Sequence, residues 1–339
     1  MSCSELLYRH VVANALTAYY GFFAFILIVL DSLKGLFVST APKRKLEPPT
    51  SLSDPKYGVH KYTKANNIKL HYVESGDPSK PLMLFLHGFP EFWYSWRHQI
   101  VDFQKDYWCV AMDMRGYGDS ERPEGLEPYK LDELIADVRE LIKQLGREKC
   151  ILVSHDWGGL VASKFRDEHP EMLLACILLA SMSQHAWVKT TWSNPKQRRK
   201  SWYVFMYRIP GLAEQVLQLN NLALFDKVML VPGKDTITAE DIECYKYWFG
   251  KTLAFTPPIN YYRANFKVFV PEKQTKGKVP MLVAHASNDP YIELSVLDLM
   301  KEEYDAETAV VENTGHFLQQ EEPAKVNNVI RQFLTKHNI

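Results

Sequence analysis

Residues 151–159 read Ile-Leu-Val-Ser-His-Asp-Trp-Gly-Gly, with a carboxylate at the centre of a pattern that presents a nucleophile. An apolar run of strand character leads in. Small residues, Ser154 and Gly158, stand two positions to either side of Asp156. A strand that turns sharply into a helix needs such neighbours, because larger side chains would clash, and it holds its central residue beside a helix N-terminus at the top of a sheet. Here that residue is aspartate, neither serine nor cysteine. A carboxylate is already ionised near neutral pH and needs no base to activate it. It suits displacement at a saturated carbon bearing a leaving group, which makes an ester of the enzyme's own side chain. Hydrolysing that ester does need a base.

Chain order points to the base. In this strand–turn–helix arrangement an acid and then a histidine follow the nucleophile. Met281–Ala284 is a strand-like run that leads into His-Ala-Ser-Asn-Asp, ending at Asp289. Ala309–Val311 is the next run and leads into Glu-Asn-Thr-Gly-His, ending at His316. Any lone Asp or His is more often a surface residue. Three in this order, each just past a strand, point to a nucleophile, an orienting acid and a base. Upstream, His87-Gly88-Phe89-Pro90 follows the run Leu82–Leu86. The backbone amides of Phe89 and Trp157 are then expected to form an oxyanion hole for the ester carbonyl.

The elements that must hold these residues are legible in outline. Ile68–Val73 alternates apolar and polar residues, as a half-exposed antiparallel strand does. Leu82–Leu86, Trp108–Met112, Ile151–Val153, Ala175–Leu179, Met281–Ala284 and Ala309–Val311 are short apolar runs of the buried parallel kind. Leu131, Leu134, Ile135, Val138, Leu141, Ile142 and Leu145 mark one face of a helix, as do Val326, Val329, Ile330 and Phe333. Strands alternating with helices predict a mostly parallel sheet. The alternation breaks from about Ser183 to Lys267, a stretch rich in Trp, Tyr and Pro, which is expected to be a helical insertion above the carboxyl ends of the strands.

Composition narrows the class. The 40 basic and 40 acidic residues balance, which argues against a binder of nucleic-acid backbone. Hydrophobic residues at 46% are ample for a large core and exclude a disordered chain. Cys3, Cys109, Cys150, Cys176 and Cys244 are odd in number and widely spaced, without C-x-x-C, so neither a disulfide framework nor a zinc site is expected.

Val11–Leu30 carries no formal charge over twenty residues. About 20 predominantly apolar residues suffice for a membrane-spanning helix. A cleaved signal would have a shorter apolar core and a small-residue cleavage site. We therefore expect a membrane anchor over 1–41 and, in the Pro-rich polar stretch that follows, a linker over 42–55. Lys34, Lys43, Arg44 and Lys45 follow the run, and the chain has no Asn-x-Ser/Thr acceptor; both features favour a body on the cytosolic side.

The chain resembles the α/β-hydrolase-fold epoxide hydrolases, especially their membrane-anchored animal members. The resemblance spans about residues 55–339. It rests on HGFPEFWYSWR (87–97), DMRGYGDS (113–120), SHDWGG (154–159), WYVFMYRIPG (202–211), NYYR (260–263) and the surroundings of Asp289 and His316. It implies a hydrolase core over 56–182 and 268–339, with a helical lid over 183–267. It also implies Asp156 as nucleophile, His316 as general base and Asp289 as orienting acid. Two lid tyrosines, matching Tyr203 and Tyr262, would polarise the epoxide oxygen; Tyr207, Tyr245, Tyr247 and Tyr261 are rivals. Ser154 departs from the family's usual glycine and Phe317 from a common tryptophan. Asp113, Arg115 and Asp119 are expected to shape a loop, and His155 to support the elbow.

The expected activity is hydrolysis of apolar, lipid-type epoxides to vicinal diols, with water as co-substrate and no cofactor or metal. The expected site is a membrane, the endoplasmic reticulum by resemblance. Two alternatives stay open at this point. One is a haloalkane or haloacid dehalogenase on the same scaffold, which would need N–H donors for halide. The other is a non-catalytic lipid binder.

Overall fold

The apolar runs pair into one sheet. The computed structural model describes residues 2–37, 47–231, 233–268 and 279–339. Among them eight strands are β1 (Val59–Ala65), β2 (Ile68–Ser75), β3 (Leu82–Leu86), β4 (Trp108–Met112), β5 (Cys150–His155), β6 (Leu173–Leu179), β7 (Met281–Ala286) and β8 (Glu307–Val311). Their order in the sheet is β1-β2-β4-β3-β5-β6-β7-β8. The β1–β2 and β2–β4 pairs are antiparallel and every other pair is parallel. Strands β3, β4, β5 and β7 are buried along their whole length, as continuous apolar runs require. Strand β1, Val-His-Lys-Tyr-Thr-Lys-Ala, was not anticipated. It is a largely exposed edge strand with no apolar face to announce it.

The helices are α1 (Cys3–Phe37), α2 (Arg97–Phe103), α3 (Leu131–Gln144), α4 (Trp157–Glu168), α5 (Gln184–Ser193), α6 (Pro195–Lys200), α7 (Trp202–Tyr207), α8 (Leu212–Met229), α9 (Ala239–Phe249), α10 (Thr256–Asn265), α11 (Val296–Tyr304), α12 (Leu318–Glu321) and α13 (Pro323–Lys336). Helix α3 buries the face that its spacing marked. The chain between β6 and β7 holds α5–α10 and no strand among the described residues. Helix α8 is kinked where Asn220, Asn221 and Leu222 take φ of 50°, 56° and 62°. Short polar side chains tolerate that conformation; Leu222 adopts it with its side chain buried.

Helix α1 is long and apolar enough, by length and composition, to cross a membrane. Of the basic residues expected after it, Lys43, Arg44 and Lys45 lie outside the described residues, as does 42–46 of the expected linker. Thr50–Ser53 and Pro55–Tyr57, within or overlapping that stretch, are single 3₁₀ turns.

Candidate active site

The turn from β5 into α4 puts Asp156 at φ 47° and ψ −115°, a backbone conformation that L residues rarely hold. Neighbours lock it there. The Asp156 N–H donates to Leu179 O at 3.2 Å, and Ser181 Oγ donates to Asp156 O at 2.6 Å. A side chain at Gly158 would run into the Leu86 carbonyl, and one at Gly88 into the Asp156 side chain itself. Ser154 fits because its hydroxyl donates to Ile177 O at 2.8 Å.

The two carboxylate oxygens of Asp156 have different surroundings. Oδ1 accepts the Phe89 N–H at 2.9 Å. Oδ2 lies 3.5 Å from His316 Nε2. On its other side His316 Nδ1 lies 2.8 Å from Asp289 Oδ2. Asp289 Oδ1 accepts the N–H groups of Tyr291 at 2.7 Å and Ile292 at 3.0 Å, which fixes its carboxylate. Asp156, His316, Asp289 and the Phe89 amide are thus brought together. The Trp157 N–H heads α4, where a helix offers no internal acceptor.

Charge sets the resting state. Burial alone would raise the Asp156 carboxyl, but the hydrogen bond and charge of His316, with smaller help from His155 and the Phe89 amide, hold it below the usual range. Asp289 is lowered in the same way, burial being outweighed by His316. Burial pulls His316 down, yet the charge of Asp289 and hydrogen bonds to Asp156 and Asp289 raise it to about 10. The two flanking carboxylates thus favour the imidazolium form of His316 in the free site.

One supporting group was missed in the sequence. Glu91 is fully buried and takes four hydrogen bonds. Its Oε2 accepts the Gly88 N–H at 2.8 Å and lies 2.6 Å from His155 Nδ1; its Oε1 accepts the Gln319 and Gln320 side-chain amides at 2.9 Å each. The other ring nitrogen of His155 lies 2.9 Å from the carbonyl oxygen of His316. Glu91 and His155 therefore tie the Gly88–Phe89 loop to the His316 loop. The only signal was position, Glu91 sitting two residues after Phe89. Asp113 and Arg115 do shape a loop: Asp113 accepts from Trp93 N and Asp119 N, and Arg115 pairs with buried Asp137.

The opposite wall is aromatic. Tyr203 and Tyr262 meet edge to face with ring centroids 5.8 Å apart, and Tyr262 packs on Trp157 at 4.9 Å. Burial, then the negative charge of Asp156, raises both phenols well above 10. Neither hydroxyl has a hydrogen-bond partner among the described residues. Two rivals are already occupied: Tyr261 donates to Arg115 O at 2.8 Å and Tyr245 to Gln320 Oε1 at 3.0 Å. Tyr207 remains beside the pair, its ring 5.0 Å from Tyr262.

Two cavities meet at these groups. A small one, about 50 Å³, runs beside Trp157, Leu160, Trp187 and Phe266; a larger one, about 310 Å³, runs beneath Met206, Leu217, Leu224 and Phe317. Asp156, Tyr203, Tyr262 and Tyr291 line both, Tyr207 and His316 only the larger. Among the described residues no group of three or more His, Cys, Asp or Glu is arranged to hold a metal ion.

The sheet order, the elbow between β5 and α4 and the helices inserted before β7 define an α/β-hydrolase-fold protein, and a sequence profile of the alpha/beta hydrolase fold matches residues 81–224. Epoxide hydrolase 1 of Caenorhabditis elegans is 36% identical over 98% of this chain and 82% of its own length. Epoxide hydrolase 4 of Mus musculus is 37% identical over 86% of this chain and 83% of its own. The crystal structure of a Bacillus megaterium epoxide hydrolase with an inhibitor superposes with a TM-score of 0.74 at 30% identity, over 81% of this chain and all of the other. The chain belongs to the epoxide hydrolase family and is a hydrolase of epoxides. The dehalogenase and non-catalytic alternatives fall away.

Proposed function

We propose that the enzyme converts apolar, lipid-type epoxides to vicinal diols through an ester on Asp156. The observation that carries this is the unequal setting of the two Asp156 oxygens, opposite two phenols that have no hydrogen-bond partner among the described residues. Oδ2 attacks an oxirane carbon and that carbon–oxygen bond breaks. The departing oxygen takes a proton from Tyr203 or Tyr262. An alkoxide is basic enough to draw it even from a raised phenol. The ester removes one of the two charges that hold the proton on His316. That proton restores the phenolate, and the neutral imidazole, oriented by Asp289, faces the ester.

Water then adds to the Asp156 carboxyl carbon while His316 takes a proton from it. The negative charge collects on Oδ1, at the amides of Phe89 and Trp157. Collapse releases the diol, which takes a proton from His316, and the carboxyl proton returns to His316. Water oxygen thereby enters Asp156, and the old Oδ2 leaves in the diol.

Apolar walls on both sides of Asp156 support a substrate with a chain on each side of the oxirane. Helix α1 supports residence in a membrane. The buried free thiols of Cys109, Cys150, Cys176 and Cys244 accord with a body in the cytosol. The endoplasmic reticulum is the membrane to examine first. We further assign 183–267 as the lid, inserted between core segments 56–182 and 268–339.

His316→Gln tests the sequence of steps. Displacement needs no base and hydrolysis does. The variant, mixed with a long-chain epoxide, should gain the mass of one substrate on the peptide that holds Asp156 and keep it. Full turnover without adduct would refute the ester route.

A further inference from the structure

The N-terminal helix does not stand clear of the catalytic body. Its residues at three- and four-residue spacing form one face that lies along the lid. Arg9 donates to Val268 O at 3.4 Å. Arg208, just after α7, donates to Ala13 O at 3.2 Å, to Thr17 Oγ1 at 2.7 Å and to Asn14 Oδ1 at 3.0 Å. Tyr20 packs on Trp202 with ring centroids 6.0 Å apart. A side chain at Gly21 would strike Ile209, and Ala24 is buried in the core. The docked stretch from Arg9 to Leu27 is about 27 Å long at a rise of about 1.5 Å per residue.

Asn14, Thr17 and Gly21, which dilute the apolar run in the sequence, are thus its docking face. Bulky apolar residues occupy the outer face, with Phe22 at 61% and Phe25 at 57% exposed. The stretch ends at the larger cavity, where Leu27, itself 52% exposed, lines the wall together with Ala223 and Asn220 of the α8 kink. The same cavity reaches Asp156 and His316.

We infer that α1 is a wall of the substrate cavity, and that Leu27 with the α8 kink forms the mouth through which an apolar epoxide enters from the bilayer. The anchor then determines specificity as well as location. An apolar chain in the bilayer that meets the end of the docked stretch reaches Asp156 along Leu27 without crossing water. A compact epoxide, which occupies only the centre of the site, has little use for that wall. The inference rests on the proposed function and adds the route and the residue that controls it.

The test uses the full chain in phosphatidylcholine vesicles and two substrates, an eighteen-carbon mid-chain epoxide and styrene oxide. Leu27→Trp narrows the mouth from α1, and Ala223→Leu narrows it from α8. Phe25→Trp places the same bulk on the outer face. The ratio of kcat/KM for the long-chain epoxide to that for styrene oxide should fall about tenfold in each of the first two variants, through KM, the order of discrimination that pocket shape gives. It should hold at the wild-type value in Phe25→Trp. Reading a ratio removes any loss of folded enzyme. An unchanged ratio in both mouth variants, or an equal fall in Phe25→Trp, would overturn the inference. A wild-type chain inert towards both epoxides would instead overturn the function beneath it.

Discussion

The two walls of the site are held by different forces. On the sheet side polar groups are tied by hydrogen bonds: Asp156 to Phe89, His316 to Asp289, Asp289 to two backbone amides, Glu91 to four donors. On the lid side Tyr203 and Tyr262 are held by ring packing, and their hydroxyls have no partner among the described residues. Each arrangement suits the task proposed for it. Charge that moves between fixed atoms is best met by dipoles already in place. A donor for a substrate oxygen must keep its hydrogen bond unspent until that oxygen arrives.

The two walls should therefore fail in different ways. The largest expected effect is on the lid. Tyr203→Phe with Tyr262→Phe keeps the ring packing and removes both donors. Pre-steady-state ester formation should slow by roughly 10²–10⁴-fold, the scale of general-acid help, while hydrolysis of a preformed ester changes little. Wild-type ester formation in the double variant would move the donor role elsewhere, with Tyr207 first in line.

Glu91→Gln strikes the other wall. It places an amide NH₂ among four donors and removes a buried charge facing His155, so unfolding free energy should drop by about 3–5 kcal/mol in denaturant titration. Both chemical steps should slow together, by about tenfold, because the Phe89 loop and the His316 loop hang on the same carboxylate. A loss confined to one step, with unchanged stability, would break the comparison at its firmest point.

The sheet wall was the more legible in sequence, for a physical reason. Asp156 and Asp289 follow strands buried along their whole length, His316 follows the half-exposed edge strand β8 with its short apolar run Ala309–Val311, and a strained turn restricts the neighbours of Asp156 to small residues. Asp156, Asp289 and His316 therefore sit at predictable places. Glu91 was not legible because its role depends on Gln319 and Gln320, more than two hundred residues away. The lid offered helices without pattern. Burial on several sides erases periodicity, and only the motif contexts separated Tyr203 and Tyr262 from Tyr245 and Tyr261. The run Val11–Leu30 was legible as apolar, but its docking on Arg208 was not, since that contact joins residues more than 190 positions apart. Strand β1 gave no signal because an exposed edge needs no apolar face.

The central claim is that Asp156, and not water, makes the first bond to the substrate. A single turnover with enzyme in excess, in heavy-oxygen water, decides it. The account predicts an unlabelled diol and one heavy oxygen on the peptide holding Asp156, because the diol takes its new oxygen from the carboxylate. A diol labelled in that first turnover, with Asp156 unlabelled, would contradict it.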